Sequence, residues 1–195
     1  MNTFVTADLH LGHDAIRRFS QRPFVSVTEM DESIITSWNN HVGPKDLVYI
    51  VGDFAWKRHD IYLSALNGKK VLIRGNHDKM SQNQQRNFTE VHDLLVRKIE
   101  GQKVVFCHYA MCVWPDWMDG AWHLHGHSHG RLEEAGDSTR CDVGQDIWGY
   151  APIPWAAIVA KLSHRSSPIL RDADELIRCV RKNREFNLGI LQRLG

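Results

Sequence analysis

The sequence lacks the segments that carry proteins into or across membranes. No apolar run approaches the roughly 20 residues of a membrane-spanning helix, and the stretch from 155 to 160 is far too short. The amino terminus shows no basic segment followed by an apolar core, so we predict no signal peptide and no membrane partner. These absences favour a cytoplasmic protein.

Cysteine and net charge are also scarce. The four cysteines are scattered and form no C-x-x-C pair, so we expect reduced thiols rather than a disulfide framework. The formal net charge is only +1, which provides no global attraction to nucleic acid or to anionic lipid. A nucleic-acid substrate would therefore need a local basic patch.

The patterns that are present predict a single α/β domain over residues 1–195. Its apolar fraction of 43% is that of an ordinary globular protein. Strand and helix patterns alternate over the first 80 residues, which is typical of a parallel sheet. Two later strand patterns flank Gly101, so we predict a hairpin there. We predict a long loop over residues 109–119.

Three helices can be placed in more detail. Asp14 to Phe19 predicts a short helix. Thr28 is expected to cap the next one, in which Met30, Ile34 and Trp38 share one apolar face. A third helix is predicted to begin near Asp172.

Polar side chains follow strand after strand. The central example is the apolar run 71–73, which stops at a glycine and is followed by Asn76, His77 and Asp78. Open α/β sheets bind ligands at the carboxyl ends of their strands. The full set of candidate ligands is Asp8, His10, Asp53, Asn76, His108, His127 and His129.

These oxygen and imidazole donors suit borderline or hard divalent cations. We expect Mn²⁺, with Fe²⁺, Zn²⁺ and Ni²⁺ as alternatives. Seven donors exceed the four of a structural zinc site and match two metals that share a carboxylate and a hydroxide. Such a pair serves phosphoester hydrolysis, in which the hydroxide attacks phosphorus.

The ordered motifs resemble those of the calcineurin-like metallophosphoesterases. They are Asp8-x-His10, Gly52-Asp53, Gly75-Asn76-His77-Asp78, His108 and Gly126-His127-x-His129. The size and the run from Asp8 to His13 further resemble the small bacterial and phage members. The resemblance implies a two-sheet β-sandwich flanked by helices, in four α/β/β/α layers.

The resemblance also implies a role for each residue. Asp8, His10 and His129 would hold one metal, and Asn76, His108 and His127 the other, with Asp53 as the bridge. His77 would be the general acid beside the leaving oxygen. Asp78 would hydrogen-bond His77 and set its orientation.

Other residues are candidate substrate contacts. His13 can reach the metals or the phosphate, or it is a plain helix-start residue. Arg17 and Arg74 can contact phosphate, or Arg74 can pair with a carboxylate. Three tryptophans can stack on a base, although packing within the fold is the more frequent role of such residues; they are Trp114, Trp117 and Trp122.

We therefore expect a metal-dependent phosphoesterase that favours phosphodiesters over monoesters. Its substrate would be a small phosphoester or a nucleotide. A nuclease acting on DNA or RNA is one alternative, and a non-catalytic, metal-stabilised interaction module is another. No pattern indicates an oligomeric state.

Overall fold

The computed structural model describes residues 1–133 and 138–165. The helix predicted to begin near Asp172 lies outside these residues. The prediction of a single domain over 1–195 stays a prediction.

The described residues form nine strands and five helices, which we number in chain order. The strands are β1 Thr3–Thr6, β2 Leu47–Val51, β3 Lys69–Ile73, β4 Glu90–His92, β5 Leu94–Ile99, β6 Gln102–Cys107, β7 Trp122–His125, β8 Arg140–Asp142 and β9 Ile153–Pro154. The helices are α1 Asp14–Phe19, α2 Val27–His41, α3 His59–Ala65, α4 Gln82–Gln85 and α5 Trp155–Leu162. Two short 3-10 helices lie at Trp117–Asp119 and Gln145–Ile147.

The strands form two mixed sheets. The first has the order β4-β3-β2-β1-β9, in which β1 to β4 are parallel and β9 is antiparallel to β1. The second has the order β5-β6-β7-β8, and its β5–β6 pair is the predicted antiparallel hairpin. The remaining pairs of the second sheet are parallel.

The first sheet is covered on both faces, which explains its nearly continuous apolar strands. Val5 of β1 belongs to the core shared with the second sheet, which also contains Phe106 and Leu124. Phe4 belongs to a second core, shared with α2 through Ile34 and Trp38. The predicted fold class, two sheets flanked by helices, is confirmed.

The start of α2 differs from the prediction. The N-cap is Ser26 rather than Thr28, and its hydroxyl accepts a hydrogen bond from the Glu29 backbone at 3.1 Å. The Glu29 carboxylate in turn accepts one from the Val25 backbone at 2.6 Å. These two contacts satisfy the backbone N–H groups of Glu29 and Val25 at the start of the helix. The helix therefore begins at Val27, one residue before Thr28. The predicted buried face of α2 is confirmed.

No helix in residues 1–133 or 138–165 combines the length and the apolar character required to cross a bilayer.

Candidate metal centre

The predicted ligands come together where strands of both sheets end. Asp8 follows β1, Asp53 follows β2, and Asn76 follows β3 of the first sheet. His108 follows β6, and the pair His127 and His129 follows β7 of the second. Parallel strands present their carboxyl ends at one edge, so residues far apart in sequence meet there.

The donor atoms form two groups, each compact enough for one cation. One group is Asp8, His10 and His129, and the other is Asp53, His108 and His127; within each, the ligand atoms lie within 4.8 Å of one another. Oδ2 of Asp53 lies between the groups, 3.5 Å from Nε2 of His10 and 3.4 Å from Nε2 of His108. Asp53 therefore occupies the position of a bridging ligand.

His10 supplies a direct test of whether the site fits a metal. Its Nε2 is buried and has no hydrogen-bond partner among the described residues. Orphaned buried polar atoms are rare and costly in native proteins. An imidazole nitrogen held beside a carboxylate without a proton partner is suited to ligating a cation.

Five of the seven predicted ligands have a left-handed backbone. Their φ angles are 57° at Asp8, 52° at His10, 54° at Asp53, 67° at His127 and 49° at His129. This conformation is uncommon for residues other than glycine and costs of order 1–3 kcal/mol each. Such concentrated strain persists only where the surrounding structure imposes it, as at functional sites.

Neighbouring glycines allow the strand ends to approach one another. Gly52 has a φ of +90°, and a Cβ there would overlap Nδ1 of His108. At Gly75, a Cβ would lie 2.6 Å from the Asp53 backbone nitrogen. The missing side chains therefore make room for His108 and Asp53.

Backbone contacts select the ligating nitrogen of His108. Its Nδ1 lies 2.9 Å from the Val51 carbonyl oxygen, to which it donates a hydrogen bond. This leaves Nε2 directed at Oδ1 of Asn76, 3.1 Å away, and at Asp53. The side-chain oxygen of Asn76 therefore lies beside the second donor group, and its predicted role as a ligand stays a prediction.

The charge state of His108 follows from Asp53. Burial disfavours the charged imidazolium, but the hydrogen bond and negative charge of Asp53 outweigh it and raise the pKa of His108 to about 9. A ligating imidazole must be neutral, so metal binding here displaces a proton.

The sequence analysis missed the residues that orient His129. Oδ2 of Asp146 accepts a 2.6 Å hydrogen bond from Nδ1 of His129, which leaves Nε2 for a metal. The Arg22 guanidinium donates to both Asp146 oxygens, at 2.9 and 3.0 Å, and to the carbonyls of Leu9 and Asp8. The sequence alone does not show that Arg22 is buried, and Asp146 follows no motif, so neither residue carried a clear signal.

Asp78 does not have the partner predicted for it. Its carboxylate accepts hydrogen bonds from the backbones of Asp53, Phe54 and Gly75, at 2.8, 2.9 and 2.8 Å. The expectation that Asp78 hydrogen-bonds His77 is corrected accordingly: Asp78 ties two ligand-bearing turns together. Burial raises the pKa of Asp78 to about 6, although these backbone donors favour the ionised form.

His77 lies at the mouth of the site in a cluster of rings. Its ring centre is 5.4 Å from those of His10 and Trp56 and 5.6 Å from that of His13. Burial lowers the pKa of His77, against the opposing charge of Asp53, so the imidazole is neutral at neutral pH. The His77 backbone donates to Oδ1 of Asp53 at 2.9 Å, which ties this residue to the bridge.

His13 lies at the site, in agreement with the first of the two alternatives that the sequence left open for it. Its Nδ1 is 3.3 Å from Nδ1 of His10, and its ring stacks on Trp56 with centres 4.5 Å apart. Trp56 thus places an aromatic ring beside His13 and His77 at the site. Trp114 and Trp122 are buried in packing positions, which confirms the structural interpretation for these two.

The two predicted arginine contacts have other partners. Arg17 bonds Asp14 and the carbonyls of Phe24 and Val25. Arg74 forms a two-point ion pair with the exposed Asp93, at 2.8 and 2.6 Å. Neither lines the cavity over the metal centre, so we assign neither of them a substrate contact.

A cavity of about 530 Å³ opens above the donor groups. Its floor consists of predicted ligands and His77, and its side wall is formed by α1 and the loop after it. Pockets of roughly 300–1,000 Å³ hold ligands the size of a drug or nucleotide. The lining residues are His10, His13, Ile16, Arg18, Phe19, Ser20, Gln21, Asp53, Asn76, His77, His127, His129 and Arg131.

The chain is similar in sequence to proteins whose names state no activity. No protein-family model matches the chain. The uncharacterized protein MJ1445 of Methanocaldococcus jannaschii is 34% identical over 131 residues, which cover 65% of this chain and 68% of that protein. The Gene 66 protein of Mycobacterium phage L5 is 35% identical over 83 residues, or 40% of each chain.

One solved structure shares the fold over most of its length. It is a protein of unknown function, AQ665, from Aquifex aeolicus, with a TM-score of 0.64 and 22% sequence identity. The alignment covers 82% of this chain and 98% of the other.

Proposed function

We propose that this chain, which belongs to the family of MJ1445 and shares the fold of AQ665, is a metal-dependent phosphoester hydrolase like the calcineurin-like metallophosphoesterases that its motifs resemble. The observation that carries the proposal is the position of Asp53, whose Oδ2 lies within 3.5 Å of imidazole nitrogens from both donor groups. This arrangement fits two cations that share one carboxylate.

The residues divide the work as follows. Asp8, His10 and His129 would hold one cation; Asn76, His108 and His127 would hold the other. Two divalent ions at such a site lower the pKa of bound water and neutralise charge on a phosphoryl group. We expect Mn²⁺ in both positions.

His77 stands beside this centre without belonging to either donor group. Its ring borders the cavity, and its neutral imidazole has one N–H to donate. We assign it the hydrogen bond to the leaving oxygen or to a phosphoryl oxygen. That bond strengthens as negative charge develops on the oxygen.

The open cavity favours phosphodiesters over monoesters. A monoester carries one organic group, which leaves, whereas a diester carries a second organic group that stays on phosphorus and needs space of its own. The space of about 530 Å³ beside the donor groups accommodates such a substituent. A small phosphoester or a nucleotide in the cytoplasm is the expected substrate.

The test compares hydrolysis of bis-p-nitrophenyl phosphate with that of p-nitrophenyl phosphate. The protein is stripped with chelator and reloaded with Mn²⁺, and its metal content is measured. His77→Ala is expected to lower kcat by about 10²–10⁴-fold while keeping both metals. His41→Ala, at the exposed end of α2, is the matched control and should retain full activity.

Metal-dependent turnover that is faster for the diester would support the whole proposal. Turnover of the monoester alone would reject the diester preference and keep the hydrolase. If two bound metals gave no turnover of either compound, the non-catalytic interaction module would be the better explanation.

A further inference from the structure

The cavity has a wall that the metal chemistry does not use. It lies at the end of α1 and continues into the loop after His129. Its residues are Ile16, Arg18, Phe19, Gln21 and Arg131. None of these residues belongs to the donor groups. They would therefore contact the part of the substrate that does not react, and their charge and polarity indicate what that part is.

The wall is cationic. Arg18 is exposed and forms no ion pair with any residue in 1–133 or 138–165. Arg131 is also exposed, and its guanidinium bonds the carbonyl oxygen of Phe19 rather than a carboxylate. The neighbouring Arg17, in contrast, is paired with Asp14.

The described residues of the wall include no acidic side chain, although the exposed Asp14 lies close by. The hydrogen bond from Arg17 lowers the pKa of the Asp14 carboxyl, and Arg18 lies close enough for its charge to lower that pKa further. Among the described residues that line the cavity, Asp53 has the only carboxylate, and it belongs to the metal centre. Two guanidinium groups that line a cavity and form no ion pair among the described residues are suited to binding an anion, and their planar donors match phosphate oxygens.

An aromatic ring lies beside the two arginines. The side chain of Phe19 is 44% exposed, although it is large and apolar. An exposed ring that lines a cavity can stack on a base, since every base has a flat π-face. The wall therefore combines contacts for a phosphate with one for an aromatic group.

We propose that this wall binds a second phosphate, so that the substrate is a small nucleotide with two phosphate groups. One phosphate reacts at the metal centre, and the other is held by Arg18 and Arg131, with the base near Phe19. This inference rests on the proposed function for the identity of the reacting group. The chain's net charge of only +1 favours a free nucleotide over a long nucleic acid.

The test uses two chromogenic substrates that differ by one group. They are the p-nitrophenyl ester of thymidine 5′-phosphate and the same ester carrying an additional 3′-phosphate. We expect kcat/KM to be roughly tenfold higher for the compound with the second phosphate, the scale of a charge-assisted contact at an exposed site. Arg18→Ala and Arg131→Ala should each remove most of that ratio.

Arg86→Ala is the matched control, because Arg86 is exposed and lines a different surface groove. It should leave the ratio unchanged. A ratio near one in the unsubstituted protein would overturn the inference. A ratio that persists in both Arg18→Ala and Arg131→Ala would overturn it as well. A larger gain for a 12-nucleotide strand than for the small compound would reject a free nucleotide as the substrate.

A binding measurement tests the second phosphate site independently of whether the protein hydrolyses the substrate. Thymidine 3′,5′-bisphosphate should bind roughly tenfold more tightly than thymidine 5′-phosphate by calorimetry, and only in proteins that retain both arginines. Tighter binding without turnover would support the subsite and reject the hydrolase. Equal affinities would reject the subsite whatever the turnover.

Discussion

Oδ2 of Asp78 accepts a hydrogen bond of 2.8 Å from the backbone nitrogen of Asp53. The same carboxylate accepts from Phe54 and from Gly75, so it joins the turn after β2 to the turn after β3. The acidic residue next to His77 therefore supports the predicted bridging ligand, and we expect Asp78 to act on catalysis through the metal centre.

Asp78→Ala is expected to weaken metal binding and to destabilise the fold. The substitution leaves three backbone donors without their acceptor, and the two that are buried, at Asp53 and Phe54, cost about 1–3 kcal/mol each. Metal content after dialysis and urea denaturation measure the two effects, with the exposed Asp93→Ala as control. A variant that kept both metals and full stability but lost kcat would instead support an orienting contact with His77.

Asp146→Asn should lower metal affinity by roughly 10–100-fold, the usual cost of losing a carboxylate that orients a ligating histidine. The amide is nearly the same size as the carboxylate, but it has no negative charge and so forms weaker hydrogen bonds with His129 and Arg22. Competition with a chelating dye measures the change. Unaltered affinity would show that the His129 ring is oriented by packing alone.

Gly52→Ala should disrupt the metal centre, whereas Gly101→Ala should not. The two glycines have nearly equal φ angles, +90° and +91°, so a methyl group strains both by roughly 1–2 kcal/mol. Only at position 52 would the methyl group meet His108, because nothing lies within 4 Å at position 101. Metal content and turnover are measured in both variants, to distinguish the overlap with His108 from the backbone strain that both positions share. Equal losses of metal and turnover in the two variants would contradict this explanation.

His123→Gln should make stability less sensitive to acid. His123 donates to the Val105 carbonyl and accepts from the Met111 backbone, and burial lowers its pKa from 6.5 to about 3. Between these pH values only the unfolded chain takes up the proton, so stability present above pH 6.5 is lost as the pH falls. The loss is about 1.4 kcal/mol per pH unit.

The measurement is urea denaturation at pH 6.5 and pH 5, in chelator so that metal release does not contribute. We expect the glutamine variant to be less stable than the unsubstituted protein at both pH values, but its stability should decline less between them. The exposed His41→Gln serves as the control. An equal decline in His123→Gln and the unsubstituted protein would show that His123 is not the group responsible.

Local patterns were sufficient where the chemistry of one segment decides its structure. The Asp14–Phe19 helix, the β5–β6 hairpin and the buried face of α2 were all predicted. The N-cap was placed wrongly because Ser26 and Thr28 are both good caps. The sequence did carry a signal that favours Ser26, because Ser26 and Glu29 have the spacing of a capping box, whereas Thr28 is followed three residues later by an aspartate.

The sequence by itself determined which residues are available for metal chemistry, since ligand types followed by sharp turns recur at successive strand ends. Only the tertiary structure decided how these residues are held in place, because hydrogen bonds between segments distant in the chain produce no recurring pattern in the sequence. Asp146 reaches His129, Arg22 reaches Asp146 across 124 positions, and Asp78 reaches Asp53 through backbone donors that any residue possesses. Likewise, the cationic wall exists only because α1 packs beside the loop after β7.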